Sequence, residues 1–327
     1  MYTNICQKIR FKRCQLDRAL DYESRRQGFE SSRAHHIHLN QKYLPFITIL
    51  VILLIMKIIF SRKGFDSTAG GIPSMKRGKN LQILPIPYKK NTLTTYNDLN
   101  LGKDVKQLSK NKIKPTDTCH NDPNLVTGQF GQVGAAQTHL ENNKVGRGDL
   151  FLFWGWFRET KKIKNKILFD KRDPGHYRIF GWLQVGEIVK LGDNPSWYLQ
   201  ENLNSNSHPH TIGKWPKNNT LYIAKSKLEG FGLRNYPGFG TFKATQLTNL
   251  SFDPSIKKSR WICPKWLNPN HNGCGMTYHN NPDRWGENTV DIVGRGQEFI
   301  AKPIDREGCK KWLISIFNTN KNYNSVF

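Results

Sequence analysis

The chain has 327 residues, of which 37% are hydrophobic, and its 50 Lys and Arg against 25 Asp and Glu give a formal net charge of +25. This length and hydrophobic content suffice for one large or two ordinary folded cores, and they argue against a small disulfide-stabilised protein. The charge favours polyanionic partners: nucleic acid, nucleotides or an anionic membrane surface.

The cysteines indicate the compartment. Six stand at positions 6, 14, 119, 263, 274 and 309, with no CxxC motif and no regular spacing. We expect free thiols in a reducing compartment and therefore a cytoplasmic protein.

The N-terminal region combines a basic stretch with a short apolar run. Residues 1–42 hold nine Lys or Arg against four Asp or Glu, and LPFITILVILLIMKIIF follows at 44–60. Its uncharged part, 44–56, is short for a membrane span, which needs about 20 residues. No A-x-A-like cleavage site follows, which argues against a cleaved signal peptide. Either 44–60 forms a single-pass anchor, or a domain begins at Met56 after an extension. We favour the extension, and predict a leader at 1–55, a domain at 56–317 and a tail at 318–327.

A strand predicted at 56–61 leads into a loop, SRKGFDSTAGGIPS, at 61–74. Small residues, hydroxyls and two cations after a strand can form an anion-binding nest, although most Gly-rich loops are simply turns. The candidate phosphate-binding residues of this loop are Arg62, Lys63, Ser67, Gly70 and Gly71. Asp66 in the same loop is a candidate acid or base.

The next part of the chain is polar. We predict a short strand at 81–86, a Lys- and Asn-rich connection at 88–127 and a helix within 132–143, where Ala, Gln, Leu and Glu favour helix formation.

Two apolar, aromatic segments, 148–158 and 177–189, predict buried strands. The basic connection between them suits a long hairpin, so we expect antiparallel neighbours. Trp154 and Trp156 should share one face, with Phe151 and Phe153 on the other. One pair should therefore face the core and the other a pocket or solvent. A flat ring of the tryptophan pair could stack on a base, although aromatic stripes often only fill a core.

The remaining segments complete a β-rich pattern. We predict a loop at 192–219, a strand at 220–224, a turn-rich segment at 228–240, a strand closing at Phe299-Ile300 and an amphipathic helix at 307–317. Together they predict an α+β protein: a β-rich domain with few helices and a barrel-like or strongly bent central sheet.

Several segments together resemble one family, the nucleotide modification associated domain 3 family, over about residues 56–300. They are SRKGFDSTAGGIPS (61–74), LPIP (84–87), YNDL (96–99), HNDPNL (120–125), GQFGQVGAAQTHL (128–140), GDLFLFWGWFR (148–158), IFGWLQVGEI (179–188), HPH (208–210), NTLYIA (219–224) and GRGQEF (294–299). The resemblance implies a role in making or handling modified nucleobases, often in phage or restriction contexts. It implies no particular reaction, catalytic residue or cofactor. More weakly, the strands of 148–189 are similar to the PUA, ASCH and EVE-like barrels that read modified bases.

Polar residues within apolar or Gly-rich segments complete the candidate site. The candidate catalytic residues are Asp66, His120, Asp122, Gln137 and His139, with Glu298 as a further acid or base. Gln184 could read a base edge or make a structural hydrogen bond, and Arg158 could hold a phosphate or form a surface ion pair. His208, His210 and other His and Cys residues match no standard zinc-ligand spacing, so we expect no metal.

Two main classes of function remain open. One is a protein that binds or processes a base in nucleic acid or nucleotide form, in company with other base-modification enzymes. The other is a non-catalytic module that reads a modified base. A third, a membrane-anchored basic protein, requires the run at 44–60 to span.

Overall fold

The computed structural model describes residues 56–65, 69–202, 208–294, 296 and 298–319. Within these ranges the strands are β1 (Ile58–Arg62), β2 (Ser74–Arg77), β3 (Asn80–Gln82), β4 (Ile86–Pro87), β5 (Cys119–His120), β6 (Gln129–Gln132), β7 (Leu150–Ile163), β8 (Lys166–Phe169), β9 (His176–Lys190), β10 (Thr220–Ala224), β11 (Phe239–Thr241), β12 (Arg260–Ile262), β13 (Thr289–Asp291) and β14 (Glu298–Ala301). The α-helices are α1 (Gly102–Leu108), α2 (Gly134–Asn142), α3 (Ser196–Glu201) and α4 (Arg306–Asn318). Short 3-10 helices cover Pro209–Thr211, Pro269–His271 and Pro282–Arg284.

A ten-stranded sheet dominates the described residues. Its main path runs β14-β1-β7-β9-β10-β6, with β2, β3, β8 and β11 attached to it. The β1–β7 pair is parallel and the other pairs along the path are antiparallel. The sheet is strongly curled into a half-barrel, which confirms the predicted β-rich fold with a bent central sheet.

The two aromatic segments form the central hairpin. β7 and β9 pair antiparallel, from Leu150 opposite Gln184 to Phe157 opposite His176, as predicted. The register shifts beside Phe153, where Phe180 is an extra residue on β9. The basic connection contains β8, which folds back onto the end of β7. The link is therefore a hairpin and not a crossover helix.

Both faces of this hairpin are buried. Leu152 and Trp154 belong to one core cluster, which also contains Phe317 of α4. Phe151 and Phe153 belong to a second cluster, packed with Phe130 of β6. A strand covered on both faces is apolar at nearly every position, which explains its continuous aromatic sequence.

Strand β1 contains the last residues of the apolar N-terminal run. Ile58, Ile59 and Phe60 are fully buried and pair with both β7 and β14, so this end of the run is a central strand. Residues 44–55 lie outside the described residues. Among the helices that the structure describes, none combines the length and the apolar character that a membrane crossing requires.

The two predicted helices are present as α2 and α4, whereas the sequence pattern does not predict α1 and α3. The connection predicted at 88–127 contains α1, which has only three buried positions: Gly102, Val105 and Leu108. A two-turn helix shows too few apolar repeats to reveal the helical period. Its formation depends on packing with Leu101, Ile113 and Ile167. The four cysteines of the described ranges, Cys119, Cys263, Cys274 and Cys309, are free thiols, as expected.

Candidate functional site

Three histidines surround one aspartate beside the end of β6. Nε2 of His208 lies 3.2 Å from Oδ1 of Asp122, and Nε2 of His120 lies 3.9 Å from Oδ2. The His210 ring lies 5.2 Å from the His120 ring and 5.6 Å from the His208 ring, centroid to centroid. The Asp122 side chain is only 4% exposed. A carboxylate this deeply buried needs compensating partners.

Strand β6 positions this group through Gly131. Its backbone N–H donates a 2.8 Å hydrogen bond to Oδ1 of Asp122. A Cβ at this position would lie 2.2 Å from the His210 ring, so a residue with a side chain would displace that ring. Gly131 therefore holds the carboxylate and makes room for the imidazole at the same time.

Hydrogen bonds define the tautomers of two histidines. Nδ1 of His210 lies 2.6 Å from Oδ1 of Asn219, so Nδ1 carries the proton and Nε2 keeps its lone pair. Nδ1 of His208 accepts a hydrogen bond from the backbone N–H of His210, so its proton sits on Nε2, which lies 3.2 Å from Oδ1 of Asp122 but outside hydrogen-bond geometry. The buried Nδ1 of His120 has no hydrogen-bond partner among the described residues.

A buried ion pair lies near the end of β6, where Glu298 contacts Gln132. Oε1 of Glu298 accepts hydrogen bonds from Oγ of Ser61 at 3.1 Å, Nζ of Lys63 at 3.4 Å and Nε2 of Gln132 at 2.6 Å. The other oxygen, Oε2, is buried with no partner in the described part of the chain. Nζ of Lys63 also lies 4.3 Å from the centre of the Phe130 ring. We call Lys63, His120, Asp122, His208, His210 and Glu298 the polar cluster.

Burial and charge shift the pKa values of the cluster. Burial lowers the pKa of His120 to about 4 and that of His210 to about 3, so both imidazoles are neutral at pH 7. Burial alone would raise the pKa of Asp122, but contact with His208 and the charge of Lys63 hold it below its usual range. Burial raises the pKa of Glu298, against the opposing effect of Lys63. The cluster thus combines neutral bases, a carboxylate and a buried ammonium.

Aromatic side chains adjoin the histidines. Trp215 stacks on His210 at 4.3 Å and 11°, and Tyr88 packs against His120 at 5.1 Å. The rings of Tyr88 and Trp215 are nearly parallel, at 14°, with centroids 6.3 Å apart, and both are half-buried. The exposed lysines that flank them in sequence are Lys89, Lys90, Lys214 and Lys217. The side chain of Asn91 donates to the Lys214 carbonyl and so joins the two segments. We call Tyr88, Trp215 and these lysines the aromatic rim.

Some predicted site residues come together here. Lys63, His120 and Asp122 belong to the polar cluster, and Glu298 joins them from β14. His208 and His210 also belong to the cluster, although their spacing in the sequence predicts no site. Their HPH motif is visible in the sequence, but its link to His120 depends on the long-range packing of Gly131.

Two predicted catalytic residues lie on α2 with other partners. Oε1 of Gln137 accepts a hydrogen bond from the Tyr222 hydroxyl at 3.0 Å, and its Nε2 donates to Glu141. Nε2 of His139 lies 3.1 Å from the Thr277 hydroxyl, and its ring stacks on Tyr278. Neither has a contact with the polar cluster.

Gln184 and Arg158 make structural contacts. Nε2 of Gln184 donates to the carbonyls of Gly148 and Glu229, and its Oε1 accepts from the Glu229 amide. Its side-chain amide is therefore engaged by backbone groups at both ends. Arg158 Nε donates to the Asp170 carbonyl, and the guanidinium lies over Phe169 at 5.9 Å.

The tryptophan pair does not form an open stacking surface. Trp154 is 1% exposed and packs edge-on against Trp261 at 4.6 Å. Trp156 is partly exposed, with Nζ of Lys258 4.6 Å above its ring. The prediction that one aromatic pair would face a pocket or solvent is wrong, because Phe151, Phe153 and Trp154 are all buried. The physical reason is that other elements pack on both faces of the sheet and bury these rings.

The Gly-rich loop is only partly described. Arg62 ends β1 opposite Trp154 of the parallel strand β7. Gly70 has φ of +86° and lies against the Phe65 ring, whereas Gly71, with φ of +70°, is exposed. Both glycines lie in a turn that requires positive φ, which glycine adopts without strain. Asp66 and Ser67 lie outside the described residues.

Fold and site together define a class: a β-rich domain with a half-barrel sheet and a buried histidine–carboxylate cluster near its edge strand β6. The chain matches the family model of nucleotide modification associated domain 3 over residues 57–302, and it belongs to that family. The family name connects the domain with nucleotide modification. No curated protein and no solved structure matches the chain.

Proposed function

We propose that this protein binds a nucleotide, free or within a nucleic-acid strand, at the aromatic rim, and that the polar cluster acts on its base. One observation carries the proposal: buried, incompletely hydrogen-bonded titratable groups adjoin two parallel aromatic rings flanked by exposed lysines. The family membership supports a nucleotide over other anions.

The aromatic rim suits such a ligand. Tyr88 and Trp215 offer flat faces on which a base can stack, and stacking contributes about 1–3 kcal/mol per base. Their flanking lysines can contact phosphates, a contribution that does not depend on sequence. With a net charge of +25, the chain favours this ligand class over cationic or neutral ones.

The polar cluster supplies acid–base groups. His208, with its proton on Nε2 beside Asp122, can orient this carboxylate and stabilise its charge while a bound group reacts. His210 presents an unprotonated Nε2, which can accept one. Lys63 could stabilise negative charge developing on the substrate. We also propose that the protein is cytoplasmic, as its cysteines predict.

Binding and base chemistry are tested separately. Quenching of tryptophan fluorescence by mononucleotides and short DNA and RNA oligomers should show binding that W215A weakens. W197A, at another half-buried tryptophan, is the matched control and should bind like the wild type. For chemistry, DNA or RNA is incubated with wild type or H208Q in host extract, digested to nucleosides and analysed by mass spectrometry. A base that changes with the wild type and not with H208Q supports processing. Binding with no change in any nucleoside would favour the reader module, and no binding would reject the proposal.

A further inference from the structure

Three side chains of the polar cluster converge on one point. His120, Asp122 and His210 each offer one ligand atom, and these atoms lie within 4.8 Å of one another. Three atoms bound to one ion at about 2.0–2.2 Å lie about 3.4 Å apart in a tetrahedral arrangement. The 3.9 Å between Nε2 of His120 and Oδ2 of Asp122 is somewhat longer than that separation, and none of the three distances exceeds 4.8 Å. Small side-chain movements would therefore close the site on an ion.

His120 provides an independent indication. Its Nε2 lies beyond hydrogen-bond distance from Asp122, and its buried Nδ1 has no partner among the described residues. Buried polar atoms are almost always satisfied, so this imidazole has an unmet interaction. Neither ring nitrogen makes a hydrogen bond within the described residues, so either one can serve as the metal ligand.

The surrounding groups are those that orient metal ligands. Asn219 accepts from Nδ1 of His210 and so turns the Nε2 lone pair toward the site. The Gly131 amide orients the Asp122 carboxylate. Such outer contacts fix the tautomer and direction of ligands in metal sites.

The charge balance permits a cation. Lys63 lies close enough for its charge to act on His120 and Asp122, and its Nζ lies 3.4 Å from Oε1 of Glu298. His208 contacts Asp122 from the other side with an N–H group, so it serves as an outer partner and not as a ligand.

We propose that His120, Asp122 and His210 bind one divalent first-row transition-metal ion, with at least one coordination position left for water or a substrate oxygen. Two imidazoles and a carboxylate suit Zn²⁺ and Fe²⁺. This revises our expectation from residue spacing that the chain has no metal site. The ion would adjoin the aromatic rim, but its binding does not depend on the proposed function.

The test uses the full chain, freed of metal by a chelator and titrated with Co²⁺, whose visible absorption reports coordination. Zn²⁺ and, without oxygen, Fe²⁺ are then titrated calorimetrically. The variants are H120Q and H210Q. H176Q is the matched control, because His176 lies 3.4 Å from Asp173 but has no third ligand among the described residues. Thermal melting checks that each variant is folded.

We expect one ion per chain in the wild type and in H176Q, and binding weaker by about 10- to 100-fold or more in H120Q and H210Q. X-ray absorption of the wild-type Zn²⁺ protein should show nitrogen and oxygen ligands, so the proposal stays testable even if a variant unfolds. Absence of binding, wild-type binding in both cluster variants, or a sulfur ligand from a cysteine would overturn it. Nucleotide binding measured on metal-free protein tests the proposed function separately.

Discussion

The Gly131 amide donates a 2.8 Å hydrogen bond to Asp122, and the space where a Gly131 Cβ would lie is filled by the His210 ring. One residue of an edge strand thus places an acid and an imidazole that are far apart in the sequence. The position of the imidazole depends on Gly131 having no side chain, whereas the carboxylate is held by its backbone N–H.

Substitution of this glycine should disrupt the site. G131A should displace the His210 ring and destabilise the protein by about 1–3 kcal/mol through overpacking. Co²⁺ and nucleotide binding should be weakened, as measured by titration alongside thermal melting. G294A is the control, because a Cβ at Gly294 meets no atom within 4 Å. Equal effects of the two variants would contradict the assigned role of Gly131.

The lysines of the aromatic rim should control the salt dependence of nucleic-acid binding. Removing one lysine–phosphate interaction reduces the slope of log K against log salt by about 0.7–0.9. We expect K89A and K214A each to reduce that slope by up to this amount. K311A, at an exposed lysine of α4, should leave it unchanged. The measurement is titration with an oligonucleotide at several salt concentrations. A slope that no rim variant alters would place the binding surface elsewhere.

Gln184 should matter for stability and not for binding. Its side chain makes hydrogen bonds to Gly148 and Glu229 from the middle of β9. Q184L leaves the Glu229 amide without this partner, and we expect a decrease of about 1–3 kcal/mol in the free energy of unfolding. Denaturant unfolding and nucleotide titration of the same samples would check both points. Weaker nucleotide binding at unchanged stability would instead support base reading by Gln184.

The stability that Asp291 contributes to the fold should be lost at acid pH. Arg260 donates two hydrogen bonds to its carboxylate, at 2.9 and 3.1 Å, and Lys257 donates a third at 2.9 Å. These contacts lower the pKa of Asp291 from its ordinary value of 3.8 to about 2. A carboxyl group whose pKa is lower in the folded than in the unfolded state stabilises the fold at pH values above the unfolded-state pKa. This stability is lost as the pH falls from about 4 to about 2.

D291N should therefore reduce stability by about 1–2 kcal/mol at pH 7, where the carboxylate is ionised in both states. Thermal melting between pH 2 and pH 7 should show the difference from wild type shrinking below pH 4. D283N, at an exposed aspartate of the 3-10 helix Pro282–Arg284, serves as the control. If the difference in stability between wild type and D291N stayed constant down to pH 2, the ion pairs of Asp291 would contribute nothing to stability.

The leader is predicted to be dispensable. Because β1 begins at Ile58 inside the central sheet, a chain that starts at Met56 retains this strand. We expect such a chain to express in soluble form with the same melting temperature as the full chain. Aggregation of the shortened chain, with the full chain recovered from membranes, would support the anchor alternative for 44–60.

The local pattern of the sequence determined the elements that carry their own signal. The β7–β9 hairpin has two long apolar, aromatic runs, and α4 has a clear helical apolar period, so neither depends on distant residues for its identity. The short helix α1 could not be predicted in this way because its apolar side is completed by Leu101, Ile113 and Ile167, which lie outside the helix.

The composition of the candidate site was decided by tertiary structure. Lys63, His120 and Asp122 were identifiable as polar residues in motifs, but their sequence positions do not reveal that β6 brings them to His210 and Glu298. Equally, Gln137, Gln184 and Trp154 have the chemistry of site residues, yet packing gives them structural partners. The periodicity of the local sequence determines the secondary structure of a segment. The functional groups of its side chains determine the chemistry that they can perform. Which groups meet depends on strand order and close approaches such as that at Gly131, because these are set by contacts between residues far apart along the chain.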